Sequence, residues 1–144
     1  FKSWLYPALP RPYVRRLEFP ATHGNLGGFT LPKTGQIILN TRTSFAMQRM
    51  ALRHERLHSA LRLATPAPLR SPLQSIKMKS QILRYSEEAL AQGYAARSVR
   101  EGLAFPFLAP DVYGITKMGL AAEAVSFGAA GALGYFAIDE LGGE

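Results

Sequence analysis

The sequence predicts an α+β fold in which a small antiparallel sheet packs on two main helices. Two short β-prone runs separated by a turn lie within residues 26–40. Helical patterns of apolar residues follow over residues 45–62 and 73–98. A run of strands followed by a run of helices is typical of α+β proteins. The 144 residues are enough for one domain with its own core.

The first 22 residues predict an extended arm. They contain four of the ten prolines, and proline fixes φ and removes a backbone donor. The apolar residues among them could pack the arm onto the body of the protein. We therefore predict an arm over residues 1–22 and a single domain over residues 23–144.

The runs GGFTL and QIILN are predicted to pair as a β-hairpin. The segment PKTG between them contains proline and glycine, which favour tight turns. Polar residues over 40–44 separate this hairpin from the helical pattern that follows. Thr43 or Ser44 is the predicted N-cap of the first helix, because a hydroxyl can accept a bond from a free backbone N–H.

The first helix is predicted from an apolar stripe that recurs at i, i+3, i+4 and i+7 over residues 45–62. His54 and His58 lie within this stripe, among methionine, alanine and leucine. Both histidines are therefore expected on the buried face. Most of the arginines are expected on the opposite side of this helix, namely Arg49, Arg53, Arg56 and Arg62.

Ser71 and Pro72 are expected to begin the second helix, because proline is favoured at the first helical position. Residues 73–98 carry two apolar stripes, and Glu87 falls on the main one. A helix with two apolar faces is expected to lie centrally in the fold.

Residues 114–138 are the most apolar part of the chain and are predicted to belong to the core. The uncharged run from Ala124 to Ile138 is shorter than the roughly 20 residues of a transmembrane helix. Three glycines also weaken it as a helix. We predict a buried helix followed by a strand near residues 133–138. A membrane-active segment is the alternative.

The composition limits the partners and ligands of the protein. Its net charge is +7, but the arginines are dispersed and show no pattern of a nucleic-acid reader. We therefore expect no nucleic-acid partner. The sequence has no cysteine, which excludes disulfides and leaves His, Asp and Glu as the ligands for any metal.

The segment HERLH, residues 54–58, has the spacing of a catalytic zinc site. His54 and His58 are four residues apart, so their imidazoles lie side by side within reach of one tetrahedral zinc. Glu55 lies about 100° around the helix axis. There it can reach a water in the open fourth position and accept its proton. A third ligand must come from elsewhere, and His23, Asp111 and the glutamates are available.

The HExxH helix followed by a helix with the pattern Glu-(Gly/Ala)-x-Ala resembles the gluzincin zinc peptidases, the thermolysin and aminopeptidase group. The pattern matches Glu88 and the three residues after it, Ala89, Leu90 and Ala91. This resemblance implies a zincin-like fold and a Zn²⁺ cofactor held by His54, His58 and Glu88, with Glu55 as the general base. Glu87 is the alternative third ligand, because it falls on the main apolar stripe.

Several short sequence segments between about Leu52 and Gly114 resemble HExxH domains at the C-terminal ends of bacterial polymorphic toxins, including Rhs-repeat proteins. These segments are LRHERLHSAL, SPL, LRYSEEALAQGYA, GLAFPF and YG. The resemblance implies a toxin that is made in the bacterial cytoplasm as part of a larger carrier chain. It would be secreted or delivered into a target cell and cleave a protein there. It also implies an immunity protein, which we expect to be acidic.

The start at Phe1, without an initiator methionine or a signal peptide, fits the expectation of a tip released from a carrier chain. Whether Phe1 is a processing site or a trimmed end is left open by the sequence.

Peptide hydrolysis also needs a donor that stabilises the developing oxyanion. Tyr113, Tyr94 and His23 are the residues considered for this role. Two other functions are left open by the sequence. One is a membrane-active toxin that uses residues 114–138, and the other is a non-catalytic binding module that is stabilised by zinc.

Overall fold

The computed structural model describes residues 13–24 and 26–128. This part of the chain contains a three-stranded sheet and six helices, which confirms the predicted α+β class. The strands are β1 Val14–Leu17, β2 Gly28–Thr30 and β3 Ile37–Asn40. The helices are α1 Phe45–Ala64, α2 Ala67–Lys79, α3 Gln81–Ala96, α4 Val99–Ala104, α5 Pro110–Tyr113 and α6, residues 117–128. Short 3-10 turns cover Ala21–His23 and Phe105–Phe107.

The sheet has the order β1-β3-β2, and its central strand β3 is buried along its whole length. β2 and β3 are antiparallel, which confirms the predicted hairpin. β1 pairs with β3 in parallel, so the prediction of a purely antiparallel sheet is wrong. A parallel pair needs a long connection, which residues 18–36 provide. β1 comes from the predicted arm, and the division at residue 22 stays a prediction.

The turn of the hairpin is fastened to α1. Gly35 has a positive φ of 72°, and its N–H donates to the carbonyl of Leu31 at 2.8 Å. The Arg62 side chain reaches this turn, where Nε donates to the Pro32 carbonyl at 2.7 Å and another guanidinium nitrogen donates to the Lys33 carbonyl. Arg62 therefore faces the hairpin, contrary to the prediction that placed it on the opposite side of the helix.

Asn40 ties the end of β3 to the preceding loop. Its side chain is fully buried and accepts from the N–H groups of Phe19 and Arg42 at 3.2 and 3.0 Å. Its amide donates to the carbonyls of Gly24 and Leu26 at 3.0 and 2.9 Å. A buried amide with these four bonds is fully satisfied, so Asn40 fixes the loop against the sheet.

α1 begins where the sequence predicts. Ser44 is its N-cap and accepts a bond from the Met47 N–H at 3.3 Å. The predicted apolar stripe is buried only in part. Met47 and Met50 are 49% and 41% exposed, whereas His54 is 7% exposed.

The prediction of one helix over residues 73–98 is wrong, because Ser80 divides this segment into α2 and α3. Ser80 has an extended backbone, with φ −106° and ψ 120°, and its hydroxyl accepts from the Leu83 N–H. The Glu123 carboxylate accepts from the Ser80 hydroxyl and from the Gln81 N–H at 2.6 Å. α2 also begins before Ser71, directly after Pro66.

α3 occupies a central place and packs against both α1 and α4. Ala91 and Ala95 are buried on it, in agreement with the expected central helix. Gly93 of α3 and Gly102 of α4 let the two backbones approach closely. This arrangement turns one face of α3 toward the histidines of α1.

The apolar C-terminal segment is described only as far as α6. Met118, Val125 and Phe127 on this helix are exposed, so the prediction of a buried helix is wrong for its described part. The predicted strand near residues 133–138 lies outside the described residues. Among the helices that are described, none combines the length and the apolar character required to cross a membrane.

Candidate metal centre

His54, His58 and Glu88 meet between α1 and α3. Nε2 of His54 lies 3.1 Å from Nε2 of His58 and 3.1 Å from one carboxylate oxygen of Glu88. Nε2 of His58 lies 3.5 Å from the other carboxylate oxygen. One ligand atom from each residue lies within 4.8 Å of the other two. These three residues could therefore hold a metal ion.

The outer nitrogens of both imidazoles have partners on α3. Nδ1 of His58 lies 2.6 Å from a carboxylate oxygen of Glu87, whose other oxygen pairs with Lys77 at 2.8 Å. Nδ1 of His54 lies 3.3 Å from the amide oxygen of Gln92. Such bonds orient a ligating imidazole and fix its tautomer. Glu87 and Glu88 thus approach different nitrogens of His58.

Burial and hydrogen bonding act in opposite directions on the pKa values of this cluster. Burial by itself lowers the pKa of His58, but hydrogen bonds with Glu87 and Glu88 outweigh it and raise the pKa to about 10. Burial raises the pKa of Glu88, but hydrogen bonds with His54 and His58 outweigh it and lower the pKa to about 2. In the metal-free protein His58 is therefore a cation between two carboxylates.

Glu55 is buried beside this centre and is held by the sheet. The Thr30 hydroxyl donates to Oε2 of Glu55 at 2.7 Å and lies 3.2 Å from the backbone carbonyl oxygen of Glu55. Thr30 belongs to β2, an edge strand of the sheet. Glu55 also contributes to the electrostatic environment of both His58 and Tyr113. Its carboxylate therefore lies close to the candidate metal ligands.

Two aromatic rings close one side of the centre. The ring centroid of Phe105 lies 5.6 Å from that of His54 and 5.4 Å from that of Tyr113. Burial raises the pKa of the Tyr113 phenol, and the charges of Glu88 and Glu55 raise it further. The Tyr113 hydroxyl therefore keeps its proton at neutral pH and can act as a donor.

The three residues considered as oxyanion donors lie in different places. Tyr113 lines the same cleft as the histidines and Glu55. Tyr94 is half-buried on α3, and His23 is exposed and hydrogen-bonded to the Thr22 hydroxyl at 3.0 Å. Neither Tyr94 nor His23 lines the cleft as the described residues form it.

The candidate metal centre opens into a cleft of about 1080 Å³. Residues of α1, β2, the hairpin turn, α2 and α3 line this cleft. A smaller pocket of about 480 Å³ continues past Glu87 and Glu88 toward Asp111 and Gly114. The two pockets share Glu87, Glu88 and Tyr113, so together they leave space around the centre for a substrate.

Comparisons of this chain with known proteins give no match. A scan against protein-family models gives no match, and comparisons with curated proteins and with solved structures give none either. The function must therefore be inferred from the chemistry of the site.

Three residues near the centre were not predicted from the sequence: Thr30, Lys77 and Gln92. Gln92 lies four residues after Glu88, so helical spacing alone could have indicated that both side chains point to the same neighbour. Thr30 and Lys77 had no such signal. They reach Glu55 and Glu87 only because β2 and α2 fold back onto α1 and α3.

Proposed function

We propose that the protein is a zinc-dependent peptidase in which Glu55 is the general base. The observation that carries this proposal is the convergence of His54, His58 and Glu88, with a second carboxylate, that of Glu55, beside them. Two imidazoles and one carboxylate are a frequent ligand set of catalytic zinc, which keeps a fourth position open.

The distances within the centre support zinc as the metal. Ligand atoms about 2.05 Å from a tetrahedral ion lie roughly 3.3 Å from one another. Nε2 of His54 lies 3.1 Å from Nε2 of His58 and 3.1 Å from one carboxylate oxygen of Glu88, which is close to this value. The outer bonds of Glu87 and Gln92 supply the support that ligating imidazoles need. Zinc would be held by His54, His58 and Glu88.

A bound zinc would polarise the substrate carbonyl and lower the pKa of a coordinated water to about 7. Glu55 accepts the proton of the attacking water and delivers it to the leaving amine nitrogen as the C–N bond breaks. The Thr30 hydroxyl bonds one oxygen of Glu55, and no other hydrogen bond to this carboxylate comes from the described residues, so the second oxygen can take the proton. Tyr113 donates from its protonated hydroxyl to the oxyanion that develops on the carbonyl oxygen.

We further propose a zincin-like, gluzincin-type architecture and the role of a toxin released from a larger carrier chain. Helices α1 and α3 supply the ligands in the order that the gluzincin resemblance implies. The toxin role is supported by the resemblance of the short sequence segments between Leu52 and Gly114 to polymorphic toxin domains. The substrate would be a protein of a target cell that the toxin enters, and an acidic immunity protein would complement the charge of +7.

The proposal is tested with the substitutions Glu55→Gln and His58→Ala. The readouts are zinc content and cleavage of a dye-labelled unfolded protein. Glu55→Gln should keep stoichiometric zinc and lose cleavage by a factor of roughly 10²–10⁴. His58→Ala should lose both. Glu101→Gln, on exposed α4, serves as the control and should change neither.

Either rival function would give a different result. A module that uses zinc only for folding would bind zinc and show no cleavage. A membrane-active toxin would release dye from liposomes whether or not a chelator is present. Retained cleavage in Glu55→Gln would overturn the peptidase proposal.

A further inference from the structure

We propose that the end of the cleft beyond the metal centre binds acidic side chains. The substrate would then carry Asp or Glu two or three residues from the bond that is cleaved. The position of that bond rests on the proposed peptidase function. The binding of an acidic peptide segment does not.

Three cations line this end of the cleft, and none is neutralised. Lys33, Arg62 and Arg70 have no carboxylate within 4.0 Å among the residues that the structure describes. A fourth cation of the cleft, Lys77, is paired with Glu87 at 2.8 Å. Unpaired charges of one sign in a cleft focus the electrostatic field and attract a ligand of the opposite sign.

The carboxylates of the cleft lie elsewhere. The described residues that line it include only three acidic side chains, those of Glu55, Glu87 and Glu88. All three belong to the metal centre. The cleft is therefore divided into a metal-binding part and a cationic part.

The distance between these two parts follows from the helices. Arg62 lies one turn beyond His58, about 6 Å along the axis of α1. Arg70 lies seven residues before Lys77, about 10 Å along the axis of α2. An extended peptide advances roughly 3.3 Å per residue. A side chain that meets these cations therefore belongs two or three residues from the peptide bond at the metal.

The two arginines are already held in position. Arg62 is fixed by the carbonyls of Pro32 and Lys33, and Nε of Arg70 donates to the Thr65 carbonyl at 3.0 Å. Neutral carbonyls leave the positive charge of a guanidinium intact, and its remaining N–H groups can meet a carboxylate. Binding to such fixed side chains costs less conformational entropy.

An acidic peptide fits this cleft better than a nucleic acid does. Leucines line the same cleft, namely Leu26, Leu61 and Leu73. A polyanion that continued along the cleft would meet the three carboxylates of the metal centre. A peptide with one or two acidic residues places negative charge only where the cations are.

The inference is tested by the binding of two dye-labelled peptides to the Glu55→Gln protein, which removes the proposed general base. The peptides differ only in carrying Asp and Glu or the neutral Asn and Gln. We expect the acidic peptide to bind roughly tenfold more tightly. The double variant Lys33→Glu/Arg70→Glu should abolish this difference. The control Arg49→Glu/Lys79→Glu, with the same change in net charge and outside the cleft, should keep it.

The single variant Lys33→Glu is included in case the double variant fails to fold. Lys33 is exposed in the turn, so its substitution should leave the fold intact. It should reduce the preference severalfold while the thermal transition stays unchanged. Equal binding of both peptides to the Glu55→Gln protein overturns the inference. The inference is also overturned if the cleft variants and the control variant lose the preference for the acidic peptide equally. A single-stranded oligonucleotide is tested as the third ligand. The assignment to a peptide would be overturned if the oligonucleotide bound more tightly than the acidic peptide and lost this binding in Lys33→Glu/Arg70→Glu.

Cleavage measurements separate this inference from the proposed function. If the unmodified protein cleaves both peptides equally and a chelator stops it, the peptidase proposal stands and the acidic preference is wrong. If no peptide is cleaved but the cleft variants alone lose acidic binding, the cationic part of the cleft is a binding site and the peptidase proposal is wrong.

Discussion

At the scale of single residues, the site depends on two adjacent carboxylates with different partners. Glu87 and Glu88 are about 100° apart on α3 and approach opposite nitrogens of His58. Only Glu88 also reaches Nε2 of His54. Glu88 is therefore placed to bind a metal with the histidines, while Glu87 orients one of them.

Substitution of these two glutamates should affect zinc affinity unequally. We expect Glu88→Gln to abolish stoichiometric binding, because it removes a charged ligand. Glu87→Gln should weaken binding by roughly 10–100-fold, since it removes only the outer bond to His58. Competition with a chromophoric chelator measures both affinities. The reverse order would show that Glu87 is the ligand.

Thr30 should matter for the reaction rather than for the metal. Thr30→Val keeps the shape of the side chain but removes the donor to Glu55. A hydrogen bond to a charged group is worth about 1.5–3 kcal/mol, so we expect kcat to fall by roughly tenfold or more. KM and zinc content should stay unchanged, and Thr30→Ser should retain activity. Unchanged kcat in Thr30→Val would exclude this positioning role.

At the scale of elements, the close approach of α3 and α4 places an aromatic ring against the candidate metal centre. Gly93 and Gly102 allow this approach, and Phe105 follows directly after α4. The Phe105 ring then contacts His54. The packing of these two helices thus determines one wall of the site.

Gly102→Ala should weaken this packing. A methyl group there would lie 2.8 Å from Cα of Gly93 and would also collide with the Ala89 carbonyl. Overpacking of this kind typically lowers the free energy of unfolding by about 1–3 kcal/mol, which urea titration measures. Gly128→Ala is the control, because a methyl group there meets no atom of the described residues within 4 Å. A stability loss of the same size in both variants would argue against the close contact.

At the scale of the whole molecule, the proposed metal would compete with protons for the same buried cluster. The pKa of His58 is raised from 6.5 to about 10, so its charge stabilises the metal-free protein below pH 6.5. This contribution is lost as the pH rises toward 10. The pKa of Glu88 is lowered from 4.5 to about 2, so its contribution is present above pH 4.5 and is lost as the pH falls toward 2.

Zinc binding should therefore stabilise the protein more at higher pH. A ligating imidazole must be deprotonated, and deprotonation of His58 becomes easier as the pH rises from 6.5 to 10. We expect the gap in Tm between zinc-loaded and chelator-treated protein to widen from pH 6.5 to pH 9. Scanning calorimetry at fixed zinc concentration measures it. The gap should be absent in His58→Ala and unchanged in His23→Asn, and a gap that narrows with pH would contradict the proposed ligand.

Local sequence determined the parts of this protein that depend on neighbouring residues. The hairpin, the start of α1 at Ser44 and the side-by-side placement of His54 and His58 follow from turn residues, a cap and helical spacing. These interactions span only a few residues, so the sequence could predict them. The α+β class followed from the same patterns.

Tertiary structure alone decided the features that depend on distant residues. Ser80 divides two helices because Glu123, 43 residues later, accepts bonds from Ser80 and Gln81. β1 pairs with β3 in parallel, and Glu88 rather than Glu87 reaches both histidines. The partner of Glu55 is Thr30, which comes from the sheet. Each of these outcomes is set by how the elements pack together, and packing depends on contacts that no local pattern encodes.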